Sequence, residues 1–339
     1  MGAPAIAQQV SWAPRTYPCG KAPDPIVIDG HLDDAAWSSV PWTDAFVDIE
    51  GDRRPTPRHA TRAKLTWDDR YFYFAADMDE PHLWATYTER DSIIFHENDF
   101  EVFIDPDGDT HLYNELEINA LNTVWDLLLV RPYRDGGPAI HMWDIAGLKT
   151  AVHLRGTVND PSDEDDGWSV EIAIPFAALA ETAGAPCPPR PGDRWRVNFS
   201  RVQWQLDIRN GEYAKRVDPE TGRALREDNW VWSPQRVIAM HEPEYWGIVE
   251  FRESGDTDRP VEPTSDDRAR WSMRGVYNGL RAGQSVGPRP EALDAAWSWP
   301  PTISRGPGWF RAEIIETTGR SLWIDHTGDT GFRPAADGE

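Results

Sequence analysis

Residues 95–131, FHENDFEVFIDPDGDTHLYNELEINALNTVWDLLLVR, are the stretch around which the chain is organised. Phe100, Val102 and Ile104 alternate with Asp99, Glu101 and Phe103, and beyond a turn-rich insert Leu116 and Ile118 alternate with Glu115, Glu117 and Asn119. A period of two is the pattern of half-buried antiparallel strands, so the stretch predicts a β-hairpin with one apolar and one acidic face. The insert Asp105-Pro-Asp-Gly-Asp-Thr110 supplies the turn. The parity of Leu116 and Ile118 sets Glu115 or Glu117 opposite Glu101. Like charges directly opposed on a sheet are unfavourable, so this face is expected either to meet cations or to be kept for a ligand, a metal or chemistry.

Composition narrows the classes. The chain has 339 residues, 57 acidic against 34 basic, and a formal net charge of -23. That balance lacks the cation surplus that nucleic acids and anionic membranes require, which leaves sugars and small molecules. The 18 Trp fit sugar faces, whose C–H groups pack on aromatic rings, as well as an ordinary core. No apolar run is long enough to span a bilayer. The start, MGAPAIAQQVSWAPRTYP, has neither a basic segment nor a continuous apolar one, so the expectation is a cytoplasmic protein or one given without its leader. Cys19 and Cys187 form one disulfide if their Cα atoms come within about 7 Å, and otherwise stay as two thiols. There is no Walker loop, GxSxG, HExxH or CxxC, so no organic cofactor is expected.

Along the chain, residues 1–24 carry several prolines and no period and read as an irregular lead-in. Residues 25–30 read as a short strand and turn, 31–37 as one helical turn that plants Trp37 in the core, and 62–67 and 71–77 as strands. Alternation recurs at 168–174 and 195–202, with a short helix at 176–181 between them. Together these predict an all-β fold, a β-sandwich of two antiparallel sheets over residues 25–252. Residues 253–265 read as a linker. Residues 266–339 read as a small α+β appendage packed on the sandwich, with a helix near 266–280, a second short helix at 291–297 and a hairpin around Thr318-Gly319-Arg320.

The ordered motifs IDGHLDDAAW, KLTWDDRYFYFAADMDEP, NDFEVFIDPDG, GWSVEIAIPFAAL, WRVNFSRV, NWVWSP and YWGIVEF resemble carbohydrate-binding module family 9 and the wider domain family named after it. The resemblance covers about residues 25–251. It implies a β-sandwich that binds a mono-, oligo- or polysaccharide through paired aromatics and polar side chains, often with structural calcium. On this resemblance the sugar-bonding Glu falls on Glu101, one aromatic on Trp232, and the other at or near Phe95, where the family has Trp. Glu117 stands where the family has Arg.

Further candidates come from the residues themselves. Asn119 shares the acidic face, and Trp125, Asp126, Arg131, His141 and Trp143, on and after the second strand, are candidate walls, each with a packed or solvated reading beside the functional one. Arg201, Lys215 and Arg226 are the cations to look for beside the acids. Asp105, Asp107 and Asp109 alternate around Gly108 as oxygen ligands for Ca²⁺ do, although Leu116 stands where an EF-hand has its bidentate Glu, and an acidic turn reads the same way. Three functions remain open. The first is saccharide binding. The second is a glycoside hydrolase acting in polysaccharide catabolism, with Glu101 working against a proton-donating Glu117 or Glu115. The third is a structural or partner-binding sandwich.

Overall fold

The computed structural model describes residues 13–335. Two compact units divide at Val261. The first contains strands β1 (Thr16–Gly20), β2 (Val47–Asp48), β3 (Thr61–Trp67), β4 (Tyr71–Met78), β5 (Asp99–Asp105), β6 (Tyr113–Asn119), β7 (Val124–Leu129) and β8 (Ala139–Ile140). It continues with β9 (Lys149–Arg155), β10 (Gly167–Pro175), β11 (Arg194–Gln203), β12 (Leu206–Arg209), β13 (Glu212–Lys215), β14 (Asp228–Val231) and β15 (Gly247–Arg252). Two short helices, α1 (Ala35–Ser38) and α2 (Phe176–Leu179), complete it.

These strands form the expected sandwich. One sheet runs β1-β15-β11-β5-β6-β7-β8 and the other β3-β4-β10-β9. The long β11 gives residues 194–197 of one edge to β15 and residues 200–203 to β14, while β5 takes its other edge. Every pairing in the two sheets is antiparallel except β1 with β15. The apolar sets Phe100, Val102 and Ile104, Leu116 and Ile118, and Trp195, Val197 and Phe199 share one core with Leu65, Phe72, Phe74, Val170 and Ile172 from the facing sheet. The period of two therefore does what it promised, since alternate residues of each strand enter the common layer.

Three readings change and the open alternative at the cysteines is resolved; of the lead-in, residues 1–12 lie outside the described residues. The irregular lead-in holds β1, in which Tyr17 and Cys19 point into the core and Pro18 is tolerated because β1 is an edge strand. Residues 25–30 are not a strand. Their amides turn to side chains instead, Val27 N–H to Asp34, and Asp29 and Gly30 N–H to Glu171. Both cysteines are free, and the Cys187 thiol donates to the Phe176 carbonyl at 3.1 Å. Finally, β5 and β6 are buried on both faces and not on one, because Phe103, Tyr113, Leu127 and Leu129 on the outer face form a second core with Ile49, Met240 and Trp246 from loops laid over the sheet.

The unit from Glu262 onward has its own core. Helix α3 (Ser265–Arg281) is closed at its start by a capping box between Thr264 and Asp267. A four-stranded antiparallel sheet, β16 (Thr302–Gly306), β17 (Trp309–Ile315), β18 (Ser321–Asp325) and β19 (Thr330–Arg333), supplies Ala312, Ile314, Leu322 and Ile324 to Met273, Tyr277 and Trp297. The expected second helix at 291–297 is a pair of turns whose carbonyls are bound by the Arg289 guanidinium.

Candidate functional site

The outer face of β5 and β6 carries the acids. Register places Glu101 directly opposite Glu117, Asp99 opposite Asn119, and Phe103 opposite Glu115. On β7, Trp125 and Leu127 lie beside Glu117 and Glu115. Over this face lies a cavity of about 370 Å³, floored by Glu101, Glu115 and Glu117 and walled by Phe95, Trp125, Tyr133 and the segment from Ile238 to His241. Phe95 sits on a short 3-10 turn, held because its N–H donates to Glu117 Oε2 at 3.0 Å. The Phe95 and Tyr133 rings are 38% and 51% exposed, whereas Trp125, at 5%, lies behind them and stacks on His141 at 5.5 Å.

Four buried carboxylates on one face repel each other. Burial is the main cause that raises all of them: Glu101 to about 7, and Asp99, Glu115 and Glu117 well above the ordinary carboxylate range. Mutual repulsion adds to this, from Glu101 on Asp99 and Glu115, from Asp99, Glu101 and Glu115 on Glu117, and from Glu227 on Glu101. Glu101 and its expected proton-donating partners, Glu117 and Glu115, are thus raised together. His241, by contrast, is pushed down to about 4, first by burial and then by Arg134, and its Nδ1 lies 2.9 Å from the Tyr113 hydroxyl.

Several sequence candidates lie elsewhere. Trp232 is 1% exposed and sits on the inner side of the sheet, against Tyr17 and Phe199. It follows Trp230 at the core parity of its strand, so the NWVWSP motif feeds the core and not the cavity. Arg201 pairs with Phe100 in register, which turns it to the inner face, where it binds Glu80 at 3.1 Å and the Asp79 carbonyl at 2.8 Å. Asp126 is likewise paired with Leu116 on the inner side and accepts from Arg90 and from the Ile145 N–H. Trp143 packs against the main core and points its N–H at Glu181. Asn119 does lie on the acidic face, but its amide is spent on Tyr87 O, Glu97, and the Leu121 and Thr123 amides, which close the hairpin end.

Of the expected cations, Arg226 lines the cavity and lies 3.7 Å from Glu227, while Lys215 lies over the Trp204 ring. Tyr133 and the run from Ile238 to His241 went unread in the sequence. The signal was an aromatic beside a Gly-Gly loop and an apolar run without strand period, both of which mark loops that cover something.

Asp105, Asp107 and Asp109 come together at the β5–β6 turn, each offering an oxygen within 4.8 Å of the others. Asp105 also accepts the Gly108 and Thr110 amides at 2.9 and 3.0 Å. An all-oxygen set of this kind suits a hard cation such as calcium.

Residues 28–188 match the family described as carbohydrate family 9 binding domain-like. An endo-1,4-beta-xylanase A of Thermoanaerobacterium saccharolyticum is 30% identical over 159 residues, which are 47% of this chain and 11% of that enzyme. Among solved structures, a family 9 carbohydrate binding module from Caldicellulosiruptor kristjanssonii in complex with cellotriose is 19% identical, with TM-score 0.44, covering 74% of this chain and 100% of that one. The same module in complex with glucose gives 19% and 0.45, over 73% and 100%. A putative carbohydrate-binding protein from Bacteroides uniformis ATCC 8492 gives 15% and 0.47, over 70% and 97%. Glu101, Glu115, Glu117, Phe95, Trp125 and Tyr133 all fall inside residues 28–188, the span that matches the carbohydrate family 9 binding domain-like family.

Proposed function

We propose that the chain binds a saccharide in the cavity over β5–β7. The observation that carries this reading is the pairing, inside the span that matches the family, of two exposed rings, Phe95 and Tyr133, with a carboxylate floor. Rings pack on the C–H faces of a sugar, and carboxyl groups take its hydroxyls. Calorimetry with a panel of mono- and oligosaccharides, cellotriose and xylo-oligosaccharides included, tests it. Phe95→Ala and Tyr133→Ala are each expected to weaken binding by about 1–2 kcal/mol, from lost stacking and apolar burial. Affinity unchanged in both folded variants would overturn the site. The same incubations are expected to yield no cleavage products. Cleavage that stops in Glu101→Gln would replace binding by hydrolysis.

Calcium at the β5–β6 turn would be held by Asp105, Asp107 and Asp109. There it would tie β5 to β6 by fixing the turn between them. Excess chelator is expected to lower the melting temperature of the wild type by more than that of Asp107→Asn. An equal response in both proteins removes calcium from this turn.

A further inference from the structure

Several buried carboxylates among the described residues are supplied with donors. Glu171 accepts from Asp29 N–H, Gly30 N–H and the Trp37 indole, and Glu97 from the Thr86 and Tyr87 amides, the Thr86 hydroxyl and the Asn119 amide. Glu80 is paired with Arg201 and Asn98. The acidic face of β5 differs from these. Asp99 and Glu101, 0% and 4% exposed, each keep one carboxylate oxygen, Oδ2 and Oε2, without any hydrogen-bond partner. A buried polar atom left in that state calls for water or an ion. The side chains also converge, since Asp99, Glu101 and Glu117 each offer one carboxylate oxygen within 4.8 Å of the other two. Metal–oxygen distances of about 2.3–2.6 Å allow one ion to reach ligands that far apart.

Neither Arg201 nor Arg226, the cations expected here, fills the gap. Arg201 is on the inner face, and Arg226, at the cavity wall, sits beside Glu227. The ligand set is all oxygen and all carboxylate, which selects a hard divalent ion over zinc or copper. Glu101 and Glu117 line the cavity, so an ion between them keeps coordination positions open to whatever enters.

We propose that Asp99, Glu101 and Glu117 hold a divalent cation at the floor of the cavity, and that the ion's open positions take neighbouring hydroxyls of the bound saccharide. The second half rests on the saccharide reading; the first does not. The position where the family resemblance expects an arginine thus recruits a cation from solution, with Glu117 as one of its ligands.

The test uses the full chain carrying Asp107→Asn, which removes the β5–β6 turn from the measurement. Calorimetric titration with Ca²⁺, and separately with Mg²⁺ and Mn²⁺, is expected to show one ion per chain with a Kd of about 10⁻³ M or tighter. Glu101→Gln and Glu117→Gln, near-isosteric changes checked by their unfolding curves, are expected to weaken it at least tenfold, and the exposed Glu164→Gln to leave it unchanged. Tb³⁺ gives a second readout that needs no carboxylate variant. Trp125 is the cross-strand neighbour of Glu117, so its ring is expected to sensitise Tb³⁺ emission that Ca²⁺ displaces and Trp125→Phe abolishes. Absence of heat with all three ions at millimolar concentration, or binding indifferent to both Gln variants, overturns the site. Binding of an amino sugar by ion-free protein, lost in Glu101→Gln, also overturns it in favour of an ammonium group. If the site holds, saccharide affinity is expected to fall at least tenfold in chelator. Affinity unmoved by chelator overturns the second half, and ion binding with no saccharide bound from any panel leaves the site standing while the proposed function fails.

Discussion

Replacing Trp232 with Ala is expected to lower the unfolding free energy by about 3–5 kcal/mol, the range for deleting a large buried aromatic, and to leave saccharide affinity of the folded protein unchanged. The indole lies between the Tyr17 ring at 6.3 Å, edge-on, and the Phe199 ring at 5.9 Å. Its six-membered ring also covers Gly247, where an added Cβ would stand 2.2 Å from the nearest ring carbon, so the backbone at the start of β15 is shaped to it. Nothing in such a layer can collapse cheaply into the space left behind, because β14 and β15 are both pinned to β11. For a domain of this size the loss corresponds to roughly 10 °C in melting temperature. Urea unfolding checks it, with the midpoint moving and the slope kept. A Trp232→Ala protein as stable as the wild type but unable to bind sugar would return this residue to the ligand wall.

Trp232 also shows where a sequence stops being legible. Alternation read the sandwich correctly because the inner faces of β5, β6, β10 and β11 obey a strict period of two, and a period is a local property. Parity within one strand also narrowed the partner of Glu101 to two residues, and the register is Glu117. What parity could not say is which face of β14 looks inward. That depends on β14 joining β11 at Ser200–Gln203, a long-range pairing with no local mark. The placement of Arg201 and Asp126 was hidden for the same reason. Each sits one residue out of phase with the acids, so each belongs to the inner face, where a buried charge survives by ion pairs, with Glu80 and with Arg90.

The outer face was read as a functional one, but its cover was not legible. A period of two predicts strands buried on one face, and Asp99, Glu101, Glu115 and Glu117 on the other face are buried as well. The cover comes from residues 133–141 and 237–246, segments whose turns carry no period. Exposure of a strand face is decided by what the loops do, and loops of this length are not read from pattern. The lead-in was lost to its prolines, although Tyr17 and Cys19 already alternate with Thr16 and Pro18.

The second large effect is expected at Glu171, where Glu171→Leu should cost about 3–5 kcal/mol. Glu171 is fully buried on β10 and its carboxylate receives three donors, the Trp37 indole N–H at 2.6 Å and the Asp29 and Gly30 amides at 2.9 Å. Those amides belong to a segment that makes no strand, so the carboxylate does for it what a neighbouring strand does elsewhere. Gly30 is required at the turn. Its φ is +89°, and a Cβ there would meet the Val152 carbonyl carbon at 2.6 Å, so only glycine lets the chain pass this close to β9. A leucine fills the volume but leaves three donors unpaired, the buried Gly30 amide and Trp37 indole each costing about 1–3 kcal/mol and the part-buried Asp29 amide less, since water reaches it. Glu171→Gln keeps one acceptor and turns an N–H₂ toward the remaining donors, so it is expected to fall between the two. The discriminating readout is hydrogen exchange at the Trp37 indole, slow in the wild type and fast in Glu171→Leu, with the amides of β5 and β6 unchanged under native conditions. Slow exchange at Trp37 together with unchanged stability would mean that hydrophobic burial of the indole, and not the carboxylate, holds the motif IDGHLDDAAW to the sheet.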